Sequence, residues 1–564
     1  MSGDAVVTVR RTSYPQVDPR AAGLMHRALV VVPPHVTVPV AARLADRRRA
    51  RMVAARVDGT WAAATRQTLA RALALGLRQA PVSAVLWDAP LIGPTTSEVA
   101  VRRRLGPGQP FVLVGKSRPE GAVFREPWAA AALPLSVARE LDQLPERAGE
   151  VLRVVGRLGE TRRFPVAVVG GFVRDLLLGR VDERTDLDLV VEGDAATVAR
   201  DLAASLGGQA VEHAAFLTAT VVLPDARRID LATARRESYR APGALPTVEP
   251  ATLAEDLARR DFSVNALAIR LDGSAWGRFL DTTGGLADLR ARRIRVLHPL
   301  SFVEDPTRIL RAARFAARLE WPFDHTTQRL AAQAARLDVY RALSADRLRA
   351  ELELVLAERR PVAAMGEATR LVAWGLVGGR AASNRTARSR LAGALGPRAL
   401  DGLSRETPLG LALLALADGG PVAEAWMDRL ALPPSRREAI RHARRNAPAL
   451  VSRLARVRDR AARYRILEGV PELTLAWART LAAGIARKRL ERHLRSARHV
   501  RALATGEDVQ ALGVPPGPAV GEILRALRAA QAGGQVRSRA GALRWLTGAV
   551  TRGRARRRIA HPTG

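Results

Sequence analysis

The sequence predicts an α/β domain with a mixed sheet near the middle of the chain, a small α/β region before it and an all-α remainder after it. Three observations predict this. The stretch from Phe164 to Asp194, FPVAVVGGFVRDLLLGRVDERTDLDLVVEGD, runs apolar segment, glycine pair, helix-like VRDLLLG and second apolar segment, the order of strand, turn, helix, strand. Before it, residues 51–127 alternate helical and strand-like patterns. Beyond Ser344 the apolar residues keep helical spacing, as in Leu348, Leu352, Val355 and Leu356, with breaks near Gly378-Gly379, Gly419-Gly420, Pro433-Pro434 and Pro471.

Composition sets the frame. A chain of 564 residues that is 48% hydrophobic can build several cores. Its net charge of +35 is carried almost wholly by arginine, Lys116 and Lys488 being the only lysines. Arginine's planar fork suits phosphate, so the field favours a polyanion, nucleic acid before a membrane surface. The absence of cysteine excludes disulfides and thiolate zinc sites and fits a reducing compartment. The N-terminus lacks the apolar core of a signal peptide and no uninterrupted apolar run is long enough to span a bilayer. A soluble, cytoplasmic protein is expected.

Residues 1–50 are basic and proline-interrupted and read as two strands and a short helix, with no chemistry assigned. There follow a helix from Trp61 to Leu77, a strand-like APVSAVLW, a helix around Ser97 to Leu105, and paired strands Phe111–Val114 and Gly121–Phe124. Leu135 to Leu158 reads as a helix leading into the central domain. There the first strand, Val166–Val169, ends at Gly170-Gly171, and the second is Leu187–Val191. Alternation puts Asp186 and Asp188 on one face and Leu187 and Leu189 on the other. Two adjacent carboxylates repel unless a cation lies between them. Hard oxygen ligands completed by water and substrate phosphates suit Mg²⁺. The Gly170-Gly171 turn and the start of the helix carrying Arg174 offer N–H groups and a guanidinium to phosphate. A plain glycine turn and an exposed strand end is the blander reading of the same residues.

Ala195 to Leu206 is a helix with Val198 and Leu202 on one face, Phe216 to Leu223 a strand, and Pro224-Asp225 a turn. The next strand, Arg228 to Leu231, carries Asp230 to where it can join the first two acids. Its alternative is a solvated strand residue. Ala232 to Pro250 is rich in Pro, Gly and Arg and reads as a mobile loop.

With G-G-x-V-R-D-x-L-L-G followed by D-L-D, the central stretch resembles the nucleotidyltransferase superfamily branch that holds bacterial tRNA nucleotidyltransferases (CCA-adding enzymes) and poly(A) polymerases. Later segments match in the same order. PGALPTVEP within the loop looks more like the tRNA enzymes. ARRDFSVNAL, Ala258 to Leu267, resembles the family's nucleotide-binding motif, which implies Arg260 for the triphosphate, helped by Arg259, and Asp261 and Asn265 for ribose hydroxyls. D-T-T-G-G-L-A-D-L from Asp281 resembles a coupling motif in which Asp281 and Gly284 are structural. Glu304-Asp305-Pro306-Thr307-Arg308 is similar to the family's E-D-x-x-R, which implies base reading by Asp305 and Arg308; as a bare sequence Asp305 is equally a helix cap. Residues 51–130 faintly resemble degenerate CBS-type repeats, with a structural or RNA-supporting role expected.

The resemblance implies an N-terminal extension (1–50), the CBS-like region (51–130), a helical linker (131–160), a nucleotidyltransferase head (161–298), a neck (299–345), a body (346–450), an RNA-binding tail (451–551) and a disordered basic end (552–564). The arginine-rich SRREAIRHARR and ARKRLERHLRSAR are ordinary solvated faces or phosphate contacts for an acceptor arm. The segment Thr505 to Leu527 resembles the C-terminal motif of bacterial members. The implied activity is template-independent addition of C and A from CTP and ATP to the 3′ end of tRNA. Asp186, Asp188 and Asp230 would be catalytic, with Mg²⁺ on the first two. Gly170, Gly171, Arg174, Arg260, Asp261, Asn265, Asp305 and Arg308 would hold the nucleotide. A restricted CC- or A-adding enzyme, a poly(A) polymerase and a non-catalytic RNA-binding protein are the alternatives. No membrane or protein partner is expected.

Overall fold

The computed structural model describes residues 20–106, 108–125, 136–183, 185–371, 385–396, 399–401, 403–417, 420–495 and 500–560. Two compact units divide at Ser344/Ala345, with residues 370–373 belonging to the first. No helix among the described residues is long and apolar enough to cross a membrane.

The first unit begins with two copies of one small topology. Strand β1 (Leu29–Val31) leads through helix Val38–Arg47 to β2 (Met52–Val57), parallel to β1, and β3 (Thr60–Thr65) returns antiparallel, with β4 (Trp87–Asp88) beyond it. Strand β5 (Leu91–Ile92) leads through helix Glu98–Arg104 to the parallel β6 (Phe111–Val114), and β7 (Gly121–Phe124) returns antiparallel. The repeat therefore starts near residue 29, not 51; of the two strands and short helix expected over residues 1–50, the described residues 20–50 hold one strand, and residues 1–19 lie outside the described part. The helix expected over Trp61 to Leu77 is a strand to Thr65 and a helix over Arg66–Ala74. Asp58-Gly59, both at positive φ, form a tight turn that returns the alanine-rich Trp61–Ala64 against Met52–Val57, and cross-strand burial outweighs alanine's helix preference. APVSAVLW is a 3₁₀ turn at Val82–Val85 followed by the short β4.

The expected helix from Leu135 to Leu158 is two, Ala138–Asp142 and Glu146–Arg162, broken before Pro145. The central sheet consists of β8 (Val166–Val169), β9 (Leu187–Val191), β10 (Gln209–His213), β11 (Thr218–Val222), β12 (Arg228–Thr233), β15 (Ala268–Arg270) and β16 (Phe279–Leu280), in the order β10-β11-β12-β9-β8-β15-β16. It is mixed: β12 and β9 run parallel and the other neighbours antiparallel. Helices Glu146–Arg162 and Ala195–Leu206 pack beside it, the second over β11 and β12. Between β12 and the nucleotide motif, the loop expected to be mobile is a hairpin of β13 (Arg235–Ser238) and β14 (Thr247–Pro250), closed by an Arg236–Glu249 pair at 2.7 Å. The directly opposed Arg236 and Glu249 supply a cross-strand pair that proline and glycine counts concealed.

The second unit is helical throughout its described residues. Leu348, Leu352, Val355 and Leu356 are buried as one face of helix Ala345–Leu356. Thr505 caps helix Gly506–Gln510 reciprocally with Asp508, and Val509, Val520, Leu527, Val536 and Leu546 share a small core. The basic end does not fray at 551: helix Arg539–Ala560 contains residues 551–558.

Candidate active site

The acids meet because β9 and β12 run parallel. In that register Asp230 stands directly opposite Asp188, flanked by Ile229 opposite Leu187 and Leu231 opposite Leu189. These four apolar residues are buried, while both aspartates are exposed on the other face, and Asp186 lies two residues earlier on that same face. Thr220, opposite Asp230 on β11, donates its hydroxyl to Asp230 Oδ1 at 2.7 Å. A single residue of slip in either strand would turn an acid to the core side.

The facing cation is delivered by a short helix. Thr252 and Glu255 form a reciprocal cap that starts helix Leu253–Ala258. Leu253 and Leu257 enter an apolar cluster with Val169, Val190 and Ala268. That docking buries Asp256 completely, and its carboxylate receives Arg259 on Oδ1 at 2.9 and 2.7 Å and Arg260 on Oδ2 at 3.3 and 3.1 Å. Gly170 lies between Arg260 and the acids. Its φ is +73°, and a Cβ there would stand 3.1 Å from Arg260 Nη1 and 3.6 Å from Asp188 Oδ2, so a side chain would be strained and would fill the cleft. Asp188, Asp230, Thr220, Arg228 and Arg260 line a cavity of about 490 Å³.

Electrostatics mark the same place. Desolvation within the cleft raises Asp188 above the ordinary carboxylate range; Arg260 opposes, and the like charges of Asp230 and Asp186 raise it further. Such a group gains from a nearby cation. Among the described residues no three acidic or imidazole side chains converge to enclose a metal by themselves. The acids therefore fit a hard cation that draws further oxygens from water or substrate, not a closed protein cage.

The other predicted residues form a buried network behind the cleft. Arg174 is 4% exposed and donates to Asn265 Oδ1 at 2.7 Å and to Asp175 at 2.9 and 2.8 Å. Asn265 donates to Asp261 Oδ1 at 3.2 Å, and Arg311 donates twice to Asp261 Oδ2, at 3.0 and 2.6 Å. Burial alone would push Asp261 up, but Arg311 wins and holds it below the usual range. Arg174 is thus committed to Asn265 and Asp175 instead of being aimed into the cleft. Likewise the Gly170 amide donates to the Leu267 carbonyl at 3.1 Å and is not free for phosphate; Gly171 starts helix Gly171–Leu177 beside Arg174.

Asp305 stands two residues before helix Thr307–Leu319, whose N-cap is Pro306, and accepts from Thr307 N at 3.0 Å and from its hydroxyl at 2.6 Å. Arg308, 6% exposed, donates to Ser301 Oγ at 2.9 Å and to the Arg259 carbonyl at 2.7 Å. Arg308 is therefore tied to the nucleotide motif through the Arg259 carbonyl. Asp281 caps helix Gly285–Arg290, accepting from the amides of Thr283, Gly284, Gly285 and Leu286.

Sequence reasoning missed Thr220, Asp256, Arg311 and Phe315. Asp256 was visible as the acid one helical turn before Arg259-Arg260, and Arg311 as the arginine one turn beyond Arg308. Phe315, with Arg174 at 5.5 Å and Arg311 at 6.0 Å from its ring centre, packs edge-on against Phe262 of the nucleotide motif.

In the second unit, the arginines of SRREAIRHARR serve mostly internal pairs: Arg436 with Glu353 and Glu406, Arg437 with Asp428, Arg441 with Glu424 and Arg445 with Glu438. By contrast Arg460, Arg463, Arg489 and Arg492 line a cavity with Tyr464 and His493, and burial followed by the other three arginines holds Arg463 below its ordinary range.

Residues 166–295 match the family model described as "Poly A polymerase head domain". An A-adding tRNA nucleotidyltransferase of Geobacter sulfurreducens is 35% identical over 422 residues, 70% of this chain, though the match spans 46% of that protein. A CC-adding tRNA nucleotidyltransferase of Deinococcus radiodurans is 39% identical over 384 residues, covering 66% of this chain and 86% of that protein. Among solved structures, the Thermotoga maritima CCA-adding enzyme complexed with tRNA superimposes with a TM-score of 0.58 at 30% identity, over 74% of this chain and 99% of that one.

Proposed function

The chain belongs to the tRNA nucleotidyltransferase family, and we propose that it adds C and A nucleotides from CTP and ATP to the 3′ end of tRNA without a template, releasing pyrophosphate. The reading is carried by the opposed register of Asp188 and Asp230 beneath Arg260 and Gly170. In the reaction the tRNA 3′-oxygen bonds to the α-phosphorus as the α–β bridging P–O bond breaks. Asp230, steered by the Thr220 hydroxyl, is placed to accept the hydroxyl proton. Arg260, braced by the buried Asp256, meets the triphosphate charge. Asp186 and Asp188 would hold the divalent cation of this family, Mg²⁺ in our reading, which stabilises charge on the nucleophile and leaving group when bound.

Behind the cleft, Arg311 and Arg174 fix Asp261 and Asn265 at the ribose. Phosphate is held by Arg260 in the space that glycine at 170 and 171 leaves open. Asp305 and Arg308 read the base. Cytosine and adenine each present an amine donor beside a ring acceptor, a pattern a carboxylate and a guanidinium match, whereas uracil and guanine present a carbonyl in place of the amine. The four arginines around Tyr464 and His493 are our candidates for tRNA phosphates. We assign this work to the cytoplasm.

A second reading, addition of the terminal A alone, is favoured by the likeness to the A-adding Geobacter relative. Incubating tRNA ending at the discriminator base, and tRNA already ending in CC, with CTP, ATP or both, and sequencing the ends, separates them. CCA on the first substrate supports the main reading. A added to the second with neither nucleotide added to the first supports the restricted enzyme. Long A tails on unrelated RNA would refute both.

A further inference from the structure

We propose that Arg71, a residue of the N-terminal region, is a positioning residue of the nucleotide site, holding Glu304 and through it the adjoining Asp305/Arg308 pair. The inference rests on the base-reading role given to that pair.

Glu304 ends the short helix Ser301–Glu304 and is 1% exposed. Its carboxylate is met by Arg71, Nε to Oε1 at 2.5 Å and Nη2 to Oε2 at 2.8 Å, across a separation of 233 residues. His298 Nε2 stands 3.6 Å away, and the backbone carbonyl accepts from Gly243 N at 3.1 Å. Glu304 is thus the point where the N-terminal region, the link within the β13–β14 hairpin and the residue before Asp305 are tied together. Burial pushes its carboxyl up to about 7, with Arg71 first and Arg308 second among the cations that oppose the rise. Removing Arg71 leaves Arg308 as the cation answering a buried carboxylate. Either Glu304 then takes a proton, or Arg308 is drawn from Ser301 and the Arg259 carbonyl; both outcomes disturb the pair that reads the base.

Arg71 is well placed for this because its helix, Arg66–Ala74, is anchored in the fold. Leu69 and Ala72 bury its inner face, and a second anchor joins the same region to the helices after Asp305: Asp88 accepts from Arg329 at 3.0 and 2.7 Å and from the Thr326 hydroxyl at 3.0 Å. The Arg71 side chain itself is 47% exposed, so truncating it opens no core cavity.

The test uses the full-length protein with tRNA and each of the four nucleotides, measuring kcat, KM and the melting temperature. Arg71→Ala is expected to raise KM for CTP and ATP by about tenfold and to narrow the preference over UTP and GTP, with kcat within about twofold. Arg71→Lys should recover part of the loss. Asp88→Asn, which loosens the second anchor without touching Glu304, should lower the melting temperature and leave the preference unchanged. In an Arg71→Ala/Glu304→Gln double variant the arginine should become dispensable, since the charge it answers is gone. Wild-type preference in Arg71→Ala, an equal change in Asp88→Asn, or simple additivity in the double variant would each overturn the inference. Wild-type protein that incorporates no nucleotide would instead overturn the function on which it rests.

Discussion

Replacing Asp188 by asparagine should move activity and stability in opposite directions. Asp188 sits in register with Asp230, with Asp186 on the same face, and its carboxyl is held above the ordinary range. A carboxyl whose folded pKa exceeds its unfolded value contributes stability below the unfolded pKa, near 4, and loses it as pH rises through the folded pKa. At pH 7 the ionised group therefore costs stability, a few tenths of a kcal/mol to about 1 after discounting for its solvent exposure. The Asp188→Asn substitution removes that cost, so without divalent cation the variant should melt higher than wild type by roughly 1–3 °C. The gap should close as pH falls through the raised folded pKa of Asp188, where wild type takes up the proton. Adding Mg²⁺ to about ten times its dissociation constant stabilises wild type by about 1.4 kcal/mol and the variant less, reversing the order. Turnover should drop at least about a hundredfold, the scale of losing positioned charge stabilisation at a reacting centre. Melting curves from pH 4.5 to 8 with and without Mg²⁺, beside single-nucleotide incorporation, supply every number. Near-normal turnover, or a melting order that ignores Mg²⁺, would refute the assignment of Asp188.

Other outcomes follow from the same geometry. Asp305→Ala removes the two bonds it accepts from Thr307 and should cost about 1 kcal/mol; a lowered melting point with unaltered choice among the four nucleotides would reduce Asp305 to that local role. Arg311→Ala removes the first of the two cations that answer the buried Asp261, leaving Arg308, and should destabilise the fold by about 1–3 kcal/mol. Asp261's lowered pKa means the pair stabilises above the unfolded carboxyl pKa and fades as pH falls through the folded one, so the deficit should shrink in acid; a pH-independent deficit contradicts the pairing. Affinity for tRNA should fall steeply with salt, and Arg463→Ala should flatten the slope of log K against log salt by less than about one unit; salt-insensitive binding would leave the net charge of +35 without its proposed role.

Local pattern was enough where a segment's own periodicity decides its structure. Val166–Val169, Leu187–Val191 and Ala195–Leu206 are as their spacing predicts, because apolar residues at period 2 or 3.6 have one way to bury themselves. Strand alternation put Asp188 on the solvent face of Leu187–Val191, and the resemblance identified the family. It failed at Thr60–Thr65, where alanines of high helix preference are held in a strand by Met52–Val57, and in the hairpin of residues 235–250, where composition masked charge pairing. What only the tertiary structure decided is long-range partnership. Nothing local to Arg228–Thr233 requires it to run parallel to β9, yet that pairing alone sets Asp230 opposite Asp188. Nor does any motif reveal that Arg174 is spent on Asn265, that Asp256 braces two arginines, or that Arg71 answers Glu304. A buried charge must find its counter-charge wherever the fold brings one close, and the choice is made by desolvation and packing summed over segments hundreds of residues apart.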